Sequence, residues 1–72
     1  MNIVINGETT EIAEPMPVTD LLTVQNVKMP DMVSVELNGN ILSRKEFDTT
    51  IINEGDKVEF LYFMGGGSAG RA

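Results

Sequence analysis

The sequence predicts an α+β fold in which one main helix packs on one face of a mixed sheet of four to five strands. Segments at residues 1–5, 33–37 and 57–63 contain alternating apolar and more polar residues, a pattern typical of half-buried strands. Between the first two of these segments, residues 18–22 carry apolar side chains at helical spacing. Strands that flank a single helix indicate a small α+β domain.

The N-terminal segment MNIVINGETTEI predicts a β-hairpin. Ile3 and Ile5 alternate with more polar positions, so that one face of the first strand turns inward. Asn6-Gly7 supplies the turn, because both residues tolerate a positive φ. The β-branched residues of 9–13 fit the pleated surface of a returning strand.

A short helix follows the hairpin. The two prolines in AEPMP end the strand pattern, since proline cannot donate to a ladder of hydrogen bonds. Val18, Leu21 and Leu22 then recur at i, i+3 and i+4, which places them on one face of a helix. Pro17 suits the entry to this helix, and we expect the helix to end near Asn26.

The second half of the chain predicts two further strands, VSVEL and KVEFLYFM. Asn38-Gly39 and Glu54-Gly55-Asp56 are predicted turns. The intervening ILSRKEFDTT predicts a brief strand and then an irregular or helical turn anchored by Phe47.

This order of elements fits a β-grasp fold, with the first and last strands as parallel neighbours at the centre of the sheet. The helical connection makes such a parallel crossover possible. Other small α+β arrangements would fit as well. We assign residues 1–64 to this domain and residues 65–72, GGGSAGRA, to a flexible C-terminal tail.

The composition of the chain argues against self-contained enzyme chemistry. The 72 residues include no cysteine and no histidine, which removes the thiolate nucleophile, the usual base at neutral pH and the commonest metal ligands. We therefore expect no catalytic residues and no metal site.

The charge of the chain indicates its class of partner. A formal net charge of -6 argues against binding to nucleic acid or to an anionic membrane and favours a basic protein surface. No apolar run approaches the length of a membrane span, so we expect a cytoplasmic protein.

Several short motifs occur in an order and spacing typical of one known family. They are INGE, VTDLL, VELNG, ILSR with Arg44, and EGDKVEFLYFMGGG. Across residues 1–67 the chain resembles the thiamine-biosynthesis sulfur carriers of the ThiS/MoaD group. In that family a glycine pair follows the Gly-Asp turn at a fixed distance, which selects Gly66 and Gly67 here and leaves Gly65 in a small-residue position. The chain departs from the family at Pro17, where a threonine helix cap is usual, and in the five residues after Gly67.

The resemblance implies a sulfur carrier, a protein co-substrate rather than an enzyme. A ThiF-like adenylyltransferase would use MgATP to adenylate the C-terminal carboxylate of Gly67, and sulfur would then replace AMP to give a thiocarboxylate. A thiazole synthase would take this sulfur, which a donor such as a cysteine desulfurase would supply. The carrier itself would bind no cofactor. Gly65 and Gly66 would let the tail thread through a narrow channel, because glycine has no Cβ.

A carboxylate can be adenylated only where the chain ends. We therefore expect a separate protease to remove residues 68–72, SAGRA, with cleavage after Gly67 and Gly66 as the fallback position. Small and polar residues beyond the last strand are suited to proteolysis. Glycine-rich termini are also common as flexible ends or linkers, which is the alternative interpretation of this segment.

The last strand carries a candidate partner interface. If its alternate positions face the core, Glu59, Leu61 and Phe63 share the outer face of the sheet, where Val4 of the first strand joins them. Apolar residues on an exposed face often mark an interface. Two alternatives to the thiamine carrier remain open: a carrier for molybdopterin or another pathway, and a ubiquitin-like modifier or interaction module.

Overall fold

The computed structural model describes residues 1–63 and 69–71 of the chain. The predicted glycine triplet and the cleavage position lie outside these residues. Within them the chain forms one α-helix, α1 (Val18–Val24), one 3₁₀ helix (Arg44–Glu46) and eight strands. The strands are β1 (Asn2–Ile5), β2 (Glu8–Glu11), β3 (Met16–Pro17), β4 (Val33–Leu37), β5 (Asn40–Ile41), β6 (Ile51–Ile52), β7 (Lys57–Phe63) and β8 (Ala69–Arg71).

Over the described residues the main sheet has the strand order β2-β1-β7-β4-β5, and β8 also pairs with β7. β1 and β7 are parallel, whereas the other neighbours are antiparallel. The first and last long strands are therefore central parallel neighbours, as the sequence predicts. One helix on a mixed sheet with this order is a β-grasp fold, which confirms the predicted fold class.

The hydrophobic core lies between α1 and one face of the main sheet. Val18, Leu21 and Leu22 of α1 are buried, as their helical spacing predicts. The other buried apolar residues are Ile3, Ile5, Ile12, Val33, Val35, Phe47, Ile52, Val58 and Phe60. No helix within 1–63 and 69–71 is both long and apolar enough to cross a membrane.

The entry to α1 depends on main-chain hydrogen bonds. Pro17 occupies the N-cap and provides no side-chain bond. The first amides of a helix lack partners within the helix. Here the N–H of Val18 donates to the carbonyl of Thr50 at 3.0 Å, and the N–H of Thr19 donates to that of Phe47 at 3.3 Å. The distant segment that carries these carbonyls thus replaces the missing threonine cap.

Two parts of the chain differ from the sequence-based expectation. Short strands β3 and β6 pair with each other in a second sheet, and the sequence analysis predicted neither of them. Residues 69–71 form β8 on the edge of β7, where the sequence predicted a flexible tail. The new strands β3, β6 and β8 have two or three residues each, which is too short to show a period, so the sequence pattern gave no signal for them.

Candidate functional site

β7 is the element that leads to the glycine triplet, and the core fixes which way its side chains face. Val58 and Phe60 are buried at 1% and 3% exposure, and Tyr62 is half-buried. Because successive side chains of a strand point to opposite faces, Glu59 and Leu61 lie on the outer face. Both are half-buried.

The structure places the predicted interface residues as follows. Val4 is half-buried on β1 and lies opposite Lys57 in the parallel register. Leu61 follows Lys57 by four residues, which separates Val4 from Leu61 by about 13 Å along the sheet. Phe63 ends β7 opposite Ala69, and the structure describes it by its backbone. Glu59 and Leu61 are thus neighbours, while Val4 lies toward the other end of the same face.

Two residues that the sequence analysis did not select share this outer face. Glu36 of β4 lies opposite Glu59, and Ile41 of β5 lies opposite Glu36. Ile41 is 58% exposed. Alternation in VSVEL already predicted that Glu36 faces outward, but its pairing with Glu59 depends on a register that no local pattern contains. The face therefore combines paired carboxylates with apolar side chains.

The Gly-Asp turn fixes the start of β7. Asp56 accepts the N–H of Asn53 at 2.8 Å and a side-chain N–H of Asn38 at 3.1 Å. Gly55 has a φ of 84°, which glycine adopts without strain. The turn thereby sets a defined starting point from which β7 runs toward the tail.

Both Asn-Gly turns also hold β7 through the asparagine side chain. Asn6 and Asn38 have φ values of 49° and 50°, as tight turns of this kind require. The Oδ1 of Asn6 accepts the N–H of Phe60 at 2.9 Å, and the Oδ1 of Asn38 accepts that of Lys57 at 2.9 Å. One turn approaches β7 from the β1 side and the other from the β4 side, so the two bonds fix the strand between its neighbours.

Arg44 and Tyr62 hold the loop between α1 and β4. Arg44 donates to the carbonyls of Pro30 at 2.9 Å and Val33 at 2.6 Å, and its guanidinium lies 5.4 Å from the ring centre of Phe47. The hydroxyl of Tyr62 donates to the carbonyl of Lys28. These contacts give Arg44 a structural role in holding this loop.

A capping box orders the 3₁₀ helix. Glu46 accepts hydrogen bonds from the backbone N–H and the hydroxyl of Ser43, each at 2.9 Å. The backbone bond, followed by the hydroxyl bond, lowers the pKa of Glu46 below its ordinary value of 4.5. Among the described residues no group of acidic side chains is arranged to hold a metal ion.

Comparison with known proteins identifies the family of this chain. The model of the ThiS family matches residues 3–67. The crystal structure of a thiamine biosynthesis protein (ThiS) from Geobacter metallireducens is 49% identical, with a TM-score of 0.88 over 93% of this chain and 100% of that chain. An uncharacterized protein, ycf40, from Porphyra purpurea is 34% identical over 67 residues, which is 93% of each chain.

A third relative is much longer than this chain. A thiazole synthase from Paramagnetospirillum magneticum is 38% identical over 68 residues, which cover 94% of this chain but 21% of that protein. The family match extends over most of the chain and ends at Gly67, the second glycine of the predicted pair. The chain belongs to the ThiS family.

Proposed function

We propose that this protein is a sulfur carrier for the thiazole branch of thiamine biosynthesis and that it acts as a co-substrate. The observation that carries the proposal is the family match, which ends at Gly67, where the carrier chemistry requires a C-terminus. The structural similarity to the Geobacter thiamine biosynthesis protein supports the same pathway.

The reaction begins with the carboxylate of Gly67. A carboxylate is a poor electrophile, so an activating enzyme first transfers AMP to it from MgATP and releases pyrophosphate. The outer sulfur of a donor persulfide then attacks the acyl carbon and AMP leaves, which gives an acyl disulfide. A thiol reduces the sulfur–sulfur bond, so that the thiocarboxylate is released and the donor sulfur remains in a disulfide with that thiol. The carrier supplies the carboxylate, while the ThiF-like partner supplies ATP binding and catalysis. The donor is of the cysteine desulfurase class.

Cleavage precedes this chemistry in the proposal. In the 72-residue chain the carbonyl of Gly67 is bonded to the nitrogen of Ser68 as an amide. An amide offers no carboxylate oxygen to attack ATP. A protease must therefore cut after Gly67, or after Gly66 as the second choice, before AMP can be accepted.

The acceptor of the sulfur is proposed to be a thiazole synthase. In Paramagnetospirillum magneticum, a protein named thiazole synthase contains a segment similar to 94% of this chain. A carrier-like segment within the same polypeptide supports a functional partnership between the two. The outer face around Glu59 and Leu61 is the proposed docking surface, extended by Val4 and Phe63.

Intact mass measurement tests the proposal. A chain ending at Gly67 is incubated with the ThiF-like enzyme, MgATP, a cysteine desulfurase, cysteine and a thiol reductant. We expect the mass increase that accompanies replacement of one oxygen by one sulfur. The matched controls are the 72-residue chain, which should gain no sulfur, and the Gly67→Ala form of the shorter chain, which should react much more slowly.

Two results would contradict the proposal. Conversion of the full chain to a thiocarboxylate at Ala72, without loss of residues 68–72, would show that the extension is not removed. Attachment of the shorter chain to lysine side chains, in place of sulfur transfer to a thiazole synthase, would indicate a protein modifier.

A further inference from the structure

β1 covers only the first part of one edge of β7. The N–H of Val4 donates to the carbonyl of Asp56 and that of Asn6 donates to Val58, each at 2.9 Å. The side chain of Asn6 then accepts the N–H of Phe60. At Asn6 the chain turns away into β2, so contact between β1 and β7 ends there.

Tyr62 is the next residue whose main chain faces this edge. The main-chain N–H and C=O groups of successive strand residues point alternately toward the two neighbouring strands. In β7, the carbonyl of Val58 and the N–H of Phe60 point toward β1. Lys57, by contrast, accepts a bond from Asn38 on the β4 side. The N–H and carbonyl of Tyr62 therefore point along the edge that β1 has left.

β8 lies at this position. Its antiparallel register places Gly70 opposite Tyr62, with Ala69 opposite Phe63 and Arg71 opposite Leu61. Gly70 and Tyr62 are thus the pair that can exchange main-chain hydrogen bonds. The C-terminal extension continues the edge pairing of β7 from the point where β1 stops.

This pairing fixes the distance between the two described residues that flank the expected cleavage position. Phe63 and Ala69 lie opposite each other, and neighbouring strands are about 5 Å apart. An extended peptide from residue 63 to residue 69 would hold its ends about 20 Å apart. A protease that binds this stretch in extended form must therefore draw residues 63 and 69 apart, which breaks the pairing of β8 with β7.

We propose that β8, which docks on the edge of β7 in the uncut chain, hinders access of the processing protease. β8 must then leave β7 before cleavage occurs. The consequence for processing rests on the proposed function, whereas the docking does not. Because β8 has three residues, its release requires little free energy, and docking slows cleavage without preventing it. Removal of the extension then leaves the Tyr62 edge open.

Amide hydrogen exchange of the isolated protein tests the docking. The chains compared are the full chain, the chain ending at Gly67, and full chains with Gly70→Pro or Ala69→Pro. Proline at position 70 removes the N–H that pairs with Tyr62. Proline at position 69 removes an N–H that points away from β7 and is therefore the matched control.

We expect the Tyr62 amide to exchange about tenfold faster in the shortened chain and in Gly70→Pro than in the full chain. Ala69→Pro should retain the slow exchange. Equal exchange rates for Tyr62 in the full and shortened chains would overturn the proposal, as would equal effects of the two prolines.

Limited digestion with proteinase K tests the consequence for cleavage. The cutting rate within residues 64–69 of each full-length protein is divided by that of a free peptide of residues 61–72 with the same substitution. We expect a ratio well below one for the unchanged chain and for Ala69→Pro, and near one for Gly70→Pro. A ratio near one for all three would overturn the proposal. Sulfur transfer is measured on the chain ending at Gly67, which lacks β8. A failure of the proposed carrier function can therefore be distinguished from a failure of the proposed docking of β8.

Discussion

Glu36 of β4 lies directly opposite Glu59 of β7 on the outer face of the sheet. Like charges at directly opposed positions destabilise a sheet. A basic surface on a partner protein would offset this repulsion on binding. The pair therefore places two of the eleven acidic residues next to each other on the proposed docking surface.

Replacement of Glu36 tests this link. We expect Glu36→Gln to raise the free energy of unfolding by about 0.2 to 1 kcal/mol, because one of the two opposed charges is removed. The same change should slow association with the ThiF-like enzyme at low salt, since less charge steers the encounter. Urea unfolding and association rates at low and high salt measure the two effects. Glu14→Gln is the control, because it removes the same charge at an exposed site outside the strands. This change should not raise the free energy of unfolding.

Leu61 provides a second test of the outer face. We expect Leu61→Ser to weaken binding to the ThiF-like enzyme about tenfold or more, because apolar contact area is lost at the interface. The fold should persist, since the core is built by the inward-facing residues of β7. Ile51→Ser is the control, as Ile51 is 44% exposed on β6 outside the main sheet. Equal binding by both variants would remove Leu61 from the interface.

The sequence predicted those parts of the fold that depend on local patterns. Alternation in β7 predicted that Val58 and Phe60 face the core, and both are buried. Helical spacing identified Leu21 and Leu22 as the buried face of α1. Asn6-Gly7 identified a tight turn, and both residues have positive φ values. In each case residues within a few positions of one another contain the whole signal.

The remaining features depend on contacts between distant segments. Asn6 and Phe60 are 54 residues apart along the chain, so their hydrogen bond follows from the parallel pairing of β1 with β7 and from no local pattern. The opposition of Glu36 and Glu59 likewise depends on the register of β4. For the candidate site, the phase of Glu59 and Leu61 was predictable, whereas the acidic partner of Glu59 was not.

Arg44 is expected to stabilise the fold and to have no role in sulfur transfer. Lysine cannot donate to two carbonyls from a planar fork, so we expect Arg44→Lys to lower the free energy of unfolding by about 1 to 2 kcal/mol. Thermal unfolding measures the loss, and Lys45→Arg at the exposed neighbouring position should change it little. A defect in thiocarboxylate formation by fully folded Arg44→Lys would assign Arg44 to a partner contact instead.

The capping box predicts a pH dependence. Because the pKa of Glu46 is lower in the folded protein, folding favours the ionised carboxylate. Its contribution to the free energy of unfolding is therefore fully present above the ordinary pKa of 4.5 and is lost as the pH falls through the lower pKa of the folded protein. Glu46→Gln removes this titration. We expect the difference in unfolding free energy between the two proteins to shrink as the pH falls below 4.5. Urea unfolding across this range measures the difference, and a constant offset would contradict the assignment.

The side chain of Asn6 should stabilise β7 beyond its role in the turn. Glycine fits the φ of 49° at this position but leaves the N–H of Phe60 without its acceptor. We therefore expect Asn6→Gly to lower the free energy of unfolding by about 1 to 3 kcal/mol and to speed amide exchange at Phe60. Asn6→Asp retains an acceptor oxygen and should retain most of the protection.

Asn26→Gly is the matched control for this prediction. Asn26 has a similar left-handed backbone, with a φ of 53°, and its side chain makes no hydrogen bond to the residues that the structure describes. The control therefore reports the backbone effect of glycine alone, which includes its greater freedom in the unfolded chain. If Asn6→Gly and Asn26→Gly cost the same free energy and leave Phe60 equally protected, the bond from Phe60 to Asn6 does not hold β7. A larger loss for Asn6→Gly, with faster exchange at Phe60, is the expected result, because this bond lies where β1 leaves the strand that leads to the glycine tail.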